Sequence, residues 1–226
     1  MAFALSTGAR LLDVSTSEVY GGGQGGYCSE SAPKIVPAET TIRLEYAVAK
    51  LAAETALINT TRVTALDAVI ARPFNVAGPR QSPLGGFVLP RFLRQAHFGE
   101  DITVFGDGQA LRAFTHVSDL VDGLTCVIER GVRGEAYNIG NPENRIAIIE
   151  LAELVRKVVP TAGDIRFVDP KEICGPLYEE ANDKFPDARR ASEMGWRPRY
   201  SVQRTIEDTY AHLLRLVERG LADRER

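Results

Sequence analysis

The stretch LLDVSTSEVYG, residues 11–21, joins a short apolar run to a cluster of hydroxyl side chains and a glycine. The apolar residues predict a β-strand at Leu11–Ser15, and a second strand is predicted at Leu66–Arg72. Between them lies Thr41–Thr60, an amphipathic stretch of helical length. Strands that alternate with helices of this length are typical of a parallel sheet. The sequence therefore predicts the α/β class.

The same alternation continues towards the end of the chain. Further strands are predicted at residues 102–105, 113–117, 137–139 and 165–168. Further helices are predicted at residues 86–98, 118–130, 147–159, 188–194 and 202–219, and residues 1–8 are predicted to be the tail of a helix. Ser118 is the expected N-cap of the helix at 118–130, and Gly131 is expected to end it.

Composition excludes several classes of function. The 226 residues are 44% hydrophobic and 25% charged, with a formal net charge of −3. This balance is ordinary for a globular protein and argues against a general binder of nucleic acid or membrane surfaces. No window approaches the roughly 18 apolar residues of a membrane span. The three cysteines show no CxxC spacing, which predicts a cytoplasmic location. The sequence contains no cluster of residues with metal-ligand spacing, so we predict no metal site.

Gly21, Gly23 and Gly26 form a G-x-G-x-x-G pattern directly after the first predicted strand. In a dinucleotide-binding loop, such glycines let backbone N–H groups approach a pyrophosphate at the N-terminus of a helix. Here the pattern is followed by YCSESAPKIVP, residues 27–37, which has two prolines and no helical period. The acidic residue expected about 20 positions later is also missing. We therefore interpret the stretch as a flexible glycine loop.

Tyr46 and Lys50 are four positions apart in the predicted helix, within RLEYAVAKLAAE, residues 43–54. This spacing puts both side chains on one face of a helix. An ammonium beside a phenol stabilises the phenolate, which can then take a proton from a sugar hydroxyl. The pair is a candidate general acid/base, although the spacing alone is common on helix surfaces.

Five further motifs stand in a fixed order around this helix. They are STSEVYG from Ser15, RPFNVAGPR from Arg72, ITVFGDGQALRAFTHVSDLVDGL from Ile102, YNIGNP from Tyr137 and PDARRASEMGWRP from Pro186. In this order the motifs closely resemble the extended short-chain dehydrogenase/reductase family, the NAD-dependent nucleotide-sugar epimerases and dehydratases. The resemblance covers nearly the whole chain, and STSEVYG is most similar to the UDP-glucuronate decarboxylases and their close relatives.

The resemblance implies a catalytic group. Tyr46 is then the catalytic acid/base, and Lys50 is both its activator and a ligand of the cofactor ribose. Thr16 and Ser17 match the hydroxyls that orient the 4-hydroxyl of the sugar. Glu18 matches the acidic residue that decarboxylases and dehydratases keep beside the sugar. The family oxidises C4 by hydride transfer to NAD, and decarboxylation, epimerisation or elimination follows before the hydride returns.

The resemblance also implies a binding group for the nucleotide part of a UDP-sugar. Asn75 and Arg112 match positions that bind its phosphates, and a guanidinium suits a pyrophosphate because its donors are forked. Relatives often carry an arginine pair just before Pro186, where this chain has Lys184 as its candidate substrate ligand. A lysine is a point charge rather than a fork, so we expect weakened nucleotide affinity.

The chain also departs from the family's pattern. Relatives begin with a strand, a G-x-x-G-x-x-G turn and a helix, which these 226 residues do not contain. We expect an α/β fold with a truncated Rossmann-like parallel sheet and a smaller C-terminal substrate lobe. Residues 1–80 are expected to form the remaining Rossmann-like part, and residues 81–226 mainly the lobe, with 113–140 returning to the sheet. EVYGGGQGGY then matches the family's variable active-site loop, and Trp196 is expected to pack in the lobe.

Three functions stay open at this point. The first is a nucleotide-sugar epimerase or decarboxylase that needs a cofactor-binding segment absent from these residues, so that NAD does not bind this chain alone. The second is a non-redox paralogue that binds a nucleotide-sugar or a protein partner. The third is a cofactor-independent enzyme that uses Tyr46, Lys50 and Glu18 for proton transfer. The assembly is expected to be an altered or weakened homodimer, or a complex with a complementing subunit.

Overall fold

The computed structural model describes residues 1–21, 26–36, 42–82, 87–175 and 183–222. In these ranges the α-helices are α1 (Ala2–Thr7), α2 (Ile42–Val63), α3 (Val88–His97), α4 (Val117–Arg130), α5 (Ile148–Val158), α6 (Pro170–Cys174), α7 (Arg189–Glu193) and α8 (Val202–Glu218). The strands are β1 (Leu11–Val14), β2 (Gly26–Cys28), β3 (Ala68–Pro73), β4 (Val76–Ala77), β5 (Ile102–Phe105), β6 (Leu111–Ala113), β7 (Thr115–His116), β8 (Ala136–Ile139), β9 (Arg145–Ala147), β10 (Ile165–Val168) and β11 (Lys184–Pro186). A 3-10 helix at Ser17–Tyr20 follows β1.

A parallel three-stranded sheet with the strand order β1–β3–β8 lies at the centre. Leu11 of β1 lies opposite Ala68 of β3, and Ile70 of β3 lies opposite Ala136 of β8. Parallel neighbours need a crossover connection. In the chain, α2 lies between β1 and β3, and α4 lies between β3 and β8. The predicted α/β fold with a parallel sheet is confirmed.

Helices cover both faces of this sheet. Side chains alternate between the faces of a strand, so Leu11 packs towards α1 and α2, with Ala4 and Leu57, while Leu12 packs towards α4. Residues 68–72 of the central strand β3 are all buried. A continuous buried run is what a parallel strand with two covered faces requires.

Trp196 packs on the α4 face of the sheet. Its ring belongs to a buried cluster with Val69 of β3 and with Tyr137 and Ile139 of β8. Its indole N–H donates to the backbone carbonyl of Asp119 at 3.0 Å. The expectation that Trp196 packs in the C-terminal lobe is therefore wrong, because the chain after β11 returns to the central sheet.

A second core lies beside the central sheet. Its buried side chains include Phe92 of α3, Val104 of β5, Leu151 of α5 and Ile206 of α8. Short strand pairs surround it: β5 with β10 in parallel and β6 with β9 antiparallel. The parallel pairs β4–β7 and β2–β11 complete the set within the described residues. The β2–β11 pair brings Lys184 next to the chain that follows β1.

The start of α4 differs from the sequence prediction. Nδ1 of His116 accepts a hydrogen bond from the backbone N–H of Ser118 at 3.0 Å, so His116 is the N-cap and Ser118 is not. A ring nitrogen can accept the same bond that a serine hydroxyl would accept at an N-cap. Gly131 is the C-cap, as predicted.

Candidate active site

The carboxyl end of β1 leads directly into the hydroxyl cluster. The backbone N–H of Ser15 continues the strand pairing by donating to the carbonyl of Ala71 at 2.8 Å. Thr16 then caps the 3-10 helix, because its Oγ1 accepts from the backbone N–H of Glu18 at 3.2 Å. Thr16 and Ser17 are both buried. The local turn therefore holds these side chains at the edge of the sheet, where parallel α/β folds bind ligands.

Helix α2 docks its lysine on the same strand end. Nζ of Lys50 donates to the backbone carbonyl of Val14 at 2.8 Å. Tyr46 lies one turn earlier on α2 and is 50% exposed. Its phenol forms no hydrogen bond with any residue that the structure describes. Lys50 is thus held at the strand end that leads into the hydroxyl cluster, and the Tyr46 phenol is open towards solvent.

A buried network anchors α2 and the 3-10 helix to the sheet. Arg72 of β3 donates to both carboxylate oxygens of Glu54 of α2, at 2.9 and 2.6 Å, and to the hydroxyl of Tyr20 at 2.9 Å. The Tyr20 hydroxyl donates in turn to Oδ1 of Asn138 at 2.7 Å. Burial raises the pKa of Tyr20 to about 12, so its hydroxyl stays protonated and structural.

Glu18 and Lys184 meet in an ion pair. Oε1 of Glu18 lies 2.6 Å from Nζ of Lys184, and the lysine side chain is only 3% exposed. Glu18 follows the hydroxyl cluster, and Lys184 begins β11. The structure therefore joins a residue expected beside the sugar to a residue expected at the phosphates.

Arg112 lies on β6, close to the residue that precedes Lys184, and Asn75 contacts the same strand. Nη1 of Arg112 lies 3.5 Å from Oδ1 of Asp183, the residue before Lys184. Asp183 also accepts from the backbone N–H of Leu111 at 2.9 Å. Nδ2 of Asn75 donates to the carbonyl of Ala113 at 3.5 Å, next to Arg112. The three candidate phosphate ligands therefore share one neighbourhood around β6 and β11.

Several residues of this site were not predicted from the sequence. Asp183 carries no motif, and it is recognisable only once β11 lies beside β6. Glu54 has a weak signal, because it stands one turn after Lys50 on the same face of α2. His116 proves structural: its ring stacks on Tyr200 with centroids 4.1 Å apart, and burial lowers its pKa, so the imidazole is neutral at neutral pH.

The glycine loop runs into a strand. Gly21 has a positive φ of 68°, and a Cβ there would lie 2.2 Å from the carbonyl oxygen of Ile35. The group that approaches this glycine closely is therefore Ile35 of the same chain, and not a ligand. Gly26 begins β2, and Gly23 lies outside the described residues. Among the described residues, the pattern offers no helix N-terminus to a pyrophosphate.

A pocket of about 590 Å³ lies away from these groups, beyond the carboxyl ends of β8 and β11. Tyr27, Asn141, Arg189 and Arg197 contribute to its lining, and Tyr46 and Arg112 do not. The candidate site is thus defined by its side chains and not by this pocket. Across the described residues, no group of three His, Cys, Asp or Glu side chains could hold a metal ion. No helix in those ranges could span a membrane.

Comparison with known proteins identifies the family. Residues 1–140 match the sequence model of the NAD dependent epimerase/dehydratase family. The chain belongs to this family. The Tyr-x-x-x-Lys helix, the STSEVYG turn and the three-stranded parallel sheet all fall within the matched residues.

Individual relatives in the epimerase/dehydratase family are decarboxylases by name. The chain is 33% identical over 209 residues to UDP-N-acetyl-alpha-D-glucosaminuronate decarboxylase of Bacillus cytotoxicus, a match that covers 91% of this chain and 64% of the relative. It is 32% identical over 223 residues to UDP-glucuronic acid decarboxylase 1 of Xenopus tropicalis, covering 96% and 50%. The chain thus spans half to about two thirds of the length of these relatives.

Solved structures of the epimerase/dehydratase family share the fold. UDP-glucuronic acid 4-epimerase from Bacillus cereus, in complex with UDP-glucuronic acid and NAD, superposes with a TM-score of 0.78 at 27% identity. That match covers 92% of this chain and 62% of the epimerase. dTDP-glucose 4,6-dehydratase from Bacillus anthracis, in complex with NAD, gives a TM-score of 0.77 at 25% identity, covering 94% and 65%.

Proposed function

We propose that the protein is a nucleotide-sugar enzyme of the epimerase or decarboxylase type that acts through oxidation of the sugar at C4. The observation that carries this proposal is the bond from Lys50 to the carbonyl of Val14 at 2.8 Å. This bond ties the helix of Tyr46 to the strand end that continues into Thr16 and Ser17. A candidate acid/base and hydroxyls able to orient a sugar therefore share one edge of the sheet.

In this proposal Tyr46 moves the proton of the 4-hydroxyl. Its phenolate would accept the proton from O4 when C4 is oxidised and would return the proton when C4 is reduced again. Lys50 stabilises the phenolate by its charge. Thr16 and Ser17 are buried, so water competes little for their hydroxyls. The hydroxyls can therefore hydrogen-bond O4 and hold it in place.

When NAD is bound, it supplies the hydride acceptor that oxidation at C4 requires. Of the described residues, Lys50 fits the ribose of NAD as a hydrogen-bond donor. The described residues at the two ends of the glycine pattern do not fit the pyrophosphate, because Gly21 is packed against Ile35 and Gly26 begins β2. In our proposal the pyrophosphate is held by a dinucleotide-binding segment that is not among these 226 residues.

A UDP-linked uronic acid is the substrate class we propose. Support comes from the names of the relatives, which are decarboxylases of UDP-glucuronic acid and of a related aminouronate. Arg112 and Asn75 are the proposed ligands of the diphosphate, and Arg112 can exchange its contact with Asp183 for a phosphate oxygen. Glu18 is the proposed carboxylate beside the sugar.

The experiment that tests this function supplies the dinucleotide-binding segment. The N-terminal segment of the Bacillus cytotoxicus relative is fused ahead of this chain, and the fusion is given UDP-glucuronic acid and NAD. We expect formation of a new UDP-sugar, and we expect Tyr46→Phe to lower its rate by about 10²–10⁴-fold while UDP binding is kept. The matched control is Tyr27→Phe on β2. A folded fusion that binds UDP but forms no product would favour the non-redox paralogue.

A further inference from the structure

The Glu18–Lys184 ion pair joins two residues with separate expected roles. The lysine side chain is 3% exposed, the glutamate side chain is 21% exposed, and the charged atoms are 2.6 Å apart. Separating such a pair is costly, because the lysine charge would be left buried without a counter-charge. A diphosphate could take Lys184 as a ligand only if the groups that bury its side chain moved aside, because only 3% of that side chain is exposed.

The surroundings hold Lys184 in this position. Lys184 lies opposite Gly26 in the β2–β11 ladder, so its backbone is fixed. Of the ionisable groups near it, Cys28 on β2 stays neutral because burial raises the pKa of its thiol. Asp183 is turned towards Leu111 and Arg112. Among the described residues, Glu18 is therefore the carboxylate that pairs with the Lys184 ammonium.

The ion pair of Arg112 differs from that of Lys184 in its length and its exposure. Its Nη1 lies 3.5 Å from Asp183, whose side chain is 37% exposed. A long ion pair with an exposed carboxylate is weak, so a phosphate can replace it at little cost. Within the described part of the chain, the two cations that the family resemblance places at the diphosphate thus differ: Arg112 pairs at 3.5 Å with a partly exposed carboxylate, and Lys184 pairs at 2.6 Å with Glu18 in a buried position.

We propose that Lys184 is a positioning residue that keeps Glu18 ionised and oriented at the sugar, and that Lys184 is not a ligand of the nucleotide diphosphate. The role of Glu18 at the sugar rests on the proposed function, whereas its coupling to Lys184 does not. A buried ammonium stabilises the carboxylate beside it, so loss of the ammonium makes ionisation of Glu18 harder.

The first test measures the coupling without any ligand. The chain is labelled with ¹³C at glutamate carboxyl groups, and the Glu18 signal is assigned by its loss in Glu18→Gln. We expect Lys184→Met to move the titration midpoint of this signal to higher pH by about one unit or more, and Lys184→Arg to restore it. Arg112→Ala is the control and leaves the midpoint in place. A midpoint that does not move in Lys184→Met overturns the proposal.

The second test separates positioning from ligand binding by calorimetry with UDP. We expect Lys184→Met to keep the Kd for UDP within about twofold, and Arg112→Ala to weaken it about tenfold or more. Loss of UDP affinity in Lys184→Met to the same extent as in Arg112→Ala overturns the proposal. If wild-type chain does not bind UDP, the proposed function fails while the glutamate titration still decides this inference. Lys184→Gln replaces Lys184→Met in both tests if the latter does not fold.

Discussion

At the scale of single residues, the candidate site consists of charges that the chain itself neutralises. Glu18 faces Lys184 at 2.6 Å, and Arg112 faces Asp183 at 3.5 Å. Lys50 donates to a backbone carbonyl and not to a carboxylate. A ligand therefore competes with internal partners, and the exposure of each partner decides which contact it can replace.

Asp13 is a residue whose charge we expect to reduce stability. It lies on β1 with its Oδ2 buried and without a hydrogen-bond partner in the described part of the chain. Burial raises its pKa, Lys50 opposes this rise, and Glu54 adds to it. Asp13→Leu should therefore raise the free energy of unfolding at pH 7 by about 1 kcal/mol, the low end of the desolvation cost, because the side chain is only partly buried.

The pH dependence of this gain checks its cause. Asp13 has a higher pKa in the folded chain than in the unfolded chain, so its ionisation costs stability at neutral pH, and the cost fades as the pH falls through the folded pKa towards the unfolded pKa. Urea denaturation should show the advantage of Asp13→Leu shrinking between pH 7 and about pH 4. Glu153→Leu, on the exposed face of α5, is the control. An Asp13→Leu chain less stable than wild type at pH 7 would contradict the argument.

Short contiguous motifs made part of the site predictable. Tyr46 and Lys50 stand in one helical turn, so their spacing alone places them on one face. The partner of Glu18 was not predictable, because Lys184 reaches it only through the pairing of β11 with β2. The contact between Asp183 and Arg112 was not predictable for the same reason. Contacts between distant segments depend on register, which no local pattern specifies.

At the scale of elements, a buried ion pair between Arg72 and Glu54 helps to hold α2 on the sheet. Arg72 donates to both oxygens of Glu54, and each side chain is 2% exposed. Glu54→Gln leaves the guanidinium buried without a counter-charge, so we expect the free energy of unfolding to fall by about 3 kcal/mol. Urea denaturation measures the change, with Glu153→Gln as the control. A loss below about 1 kcal/mol would mean that this pair does not anchor α2.

The cap of α4 predicts a pH-dependent stability. Burial lowers the pKa of His116, Arg204 lowers it further, and Asp208 and Asp119 oppose this. The unfolded chain thus takes up a proton before the folded chain does, so stability should fall as the pH drops below about 6.5. His116→Asn keeps a capping side chain and removes this titration.

Denaturation at several pH values compares these variants. His116→Asn should lose less stability than wild type between about pH 7.5 and pH 5.5, by up to about 1.4 kcal/mol per pH unit. Ser118→Ala leaves the imidazole bond to the backbone unchanged and should keep the wild-type slope. Equal slopes for wild type and His116→Asn would show that His116 does not contribute to the acid sensitivity.

The longer elements followed from their sequence pattern, and the short ones did not. β5 and β10 have the predicted bounds, and α2 extends three residues beyond its predicted end at Thr60. Strands of two or three residues, such as β2 and β11, are too short to show an alternation of polar and apolar side chains. They form because neighbouring backbone groups need hydrogen-bond partners once the larger elements have packed.

At the scale of the whole molecule, two cores support the two parts of the candidate site. The central sheet and its helices carry Tyr46, Lys50 and the hydroxyl cluster. The second core, built from α3, α5, α8 and β5, supports the strands that carry Arg112. The residues proposed to bind a nucleotide diphosphate therefore do not depend on a pyrophosphate loop for NAD. The described residues contain the first group and offer no such loop.

The most direct measurement of this division is equilibrium dialysis of the 226-residue chain against UDP and against NAD. We expect measurable UDP binding, which Arg112→Ala weakens about tenfold or more, and no NAD binding in the micromolar range. Micromolar affinity requires about 8 kcal/mol, whereas the charged contact from Lys50 contributes only about 1.5–3 kcal/mol. Micromolar binding of NAD by this chain alone, or no binding of UDP, would contradict the proposed division of the site.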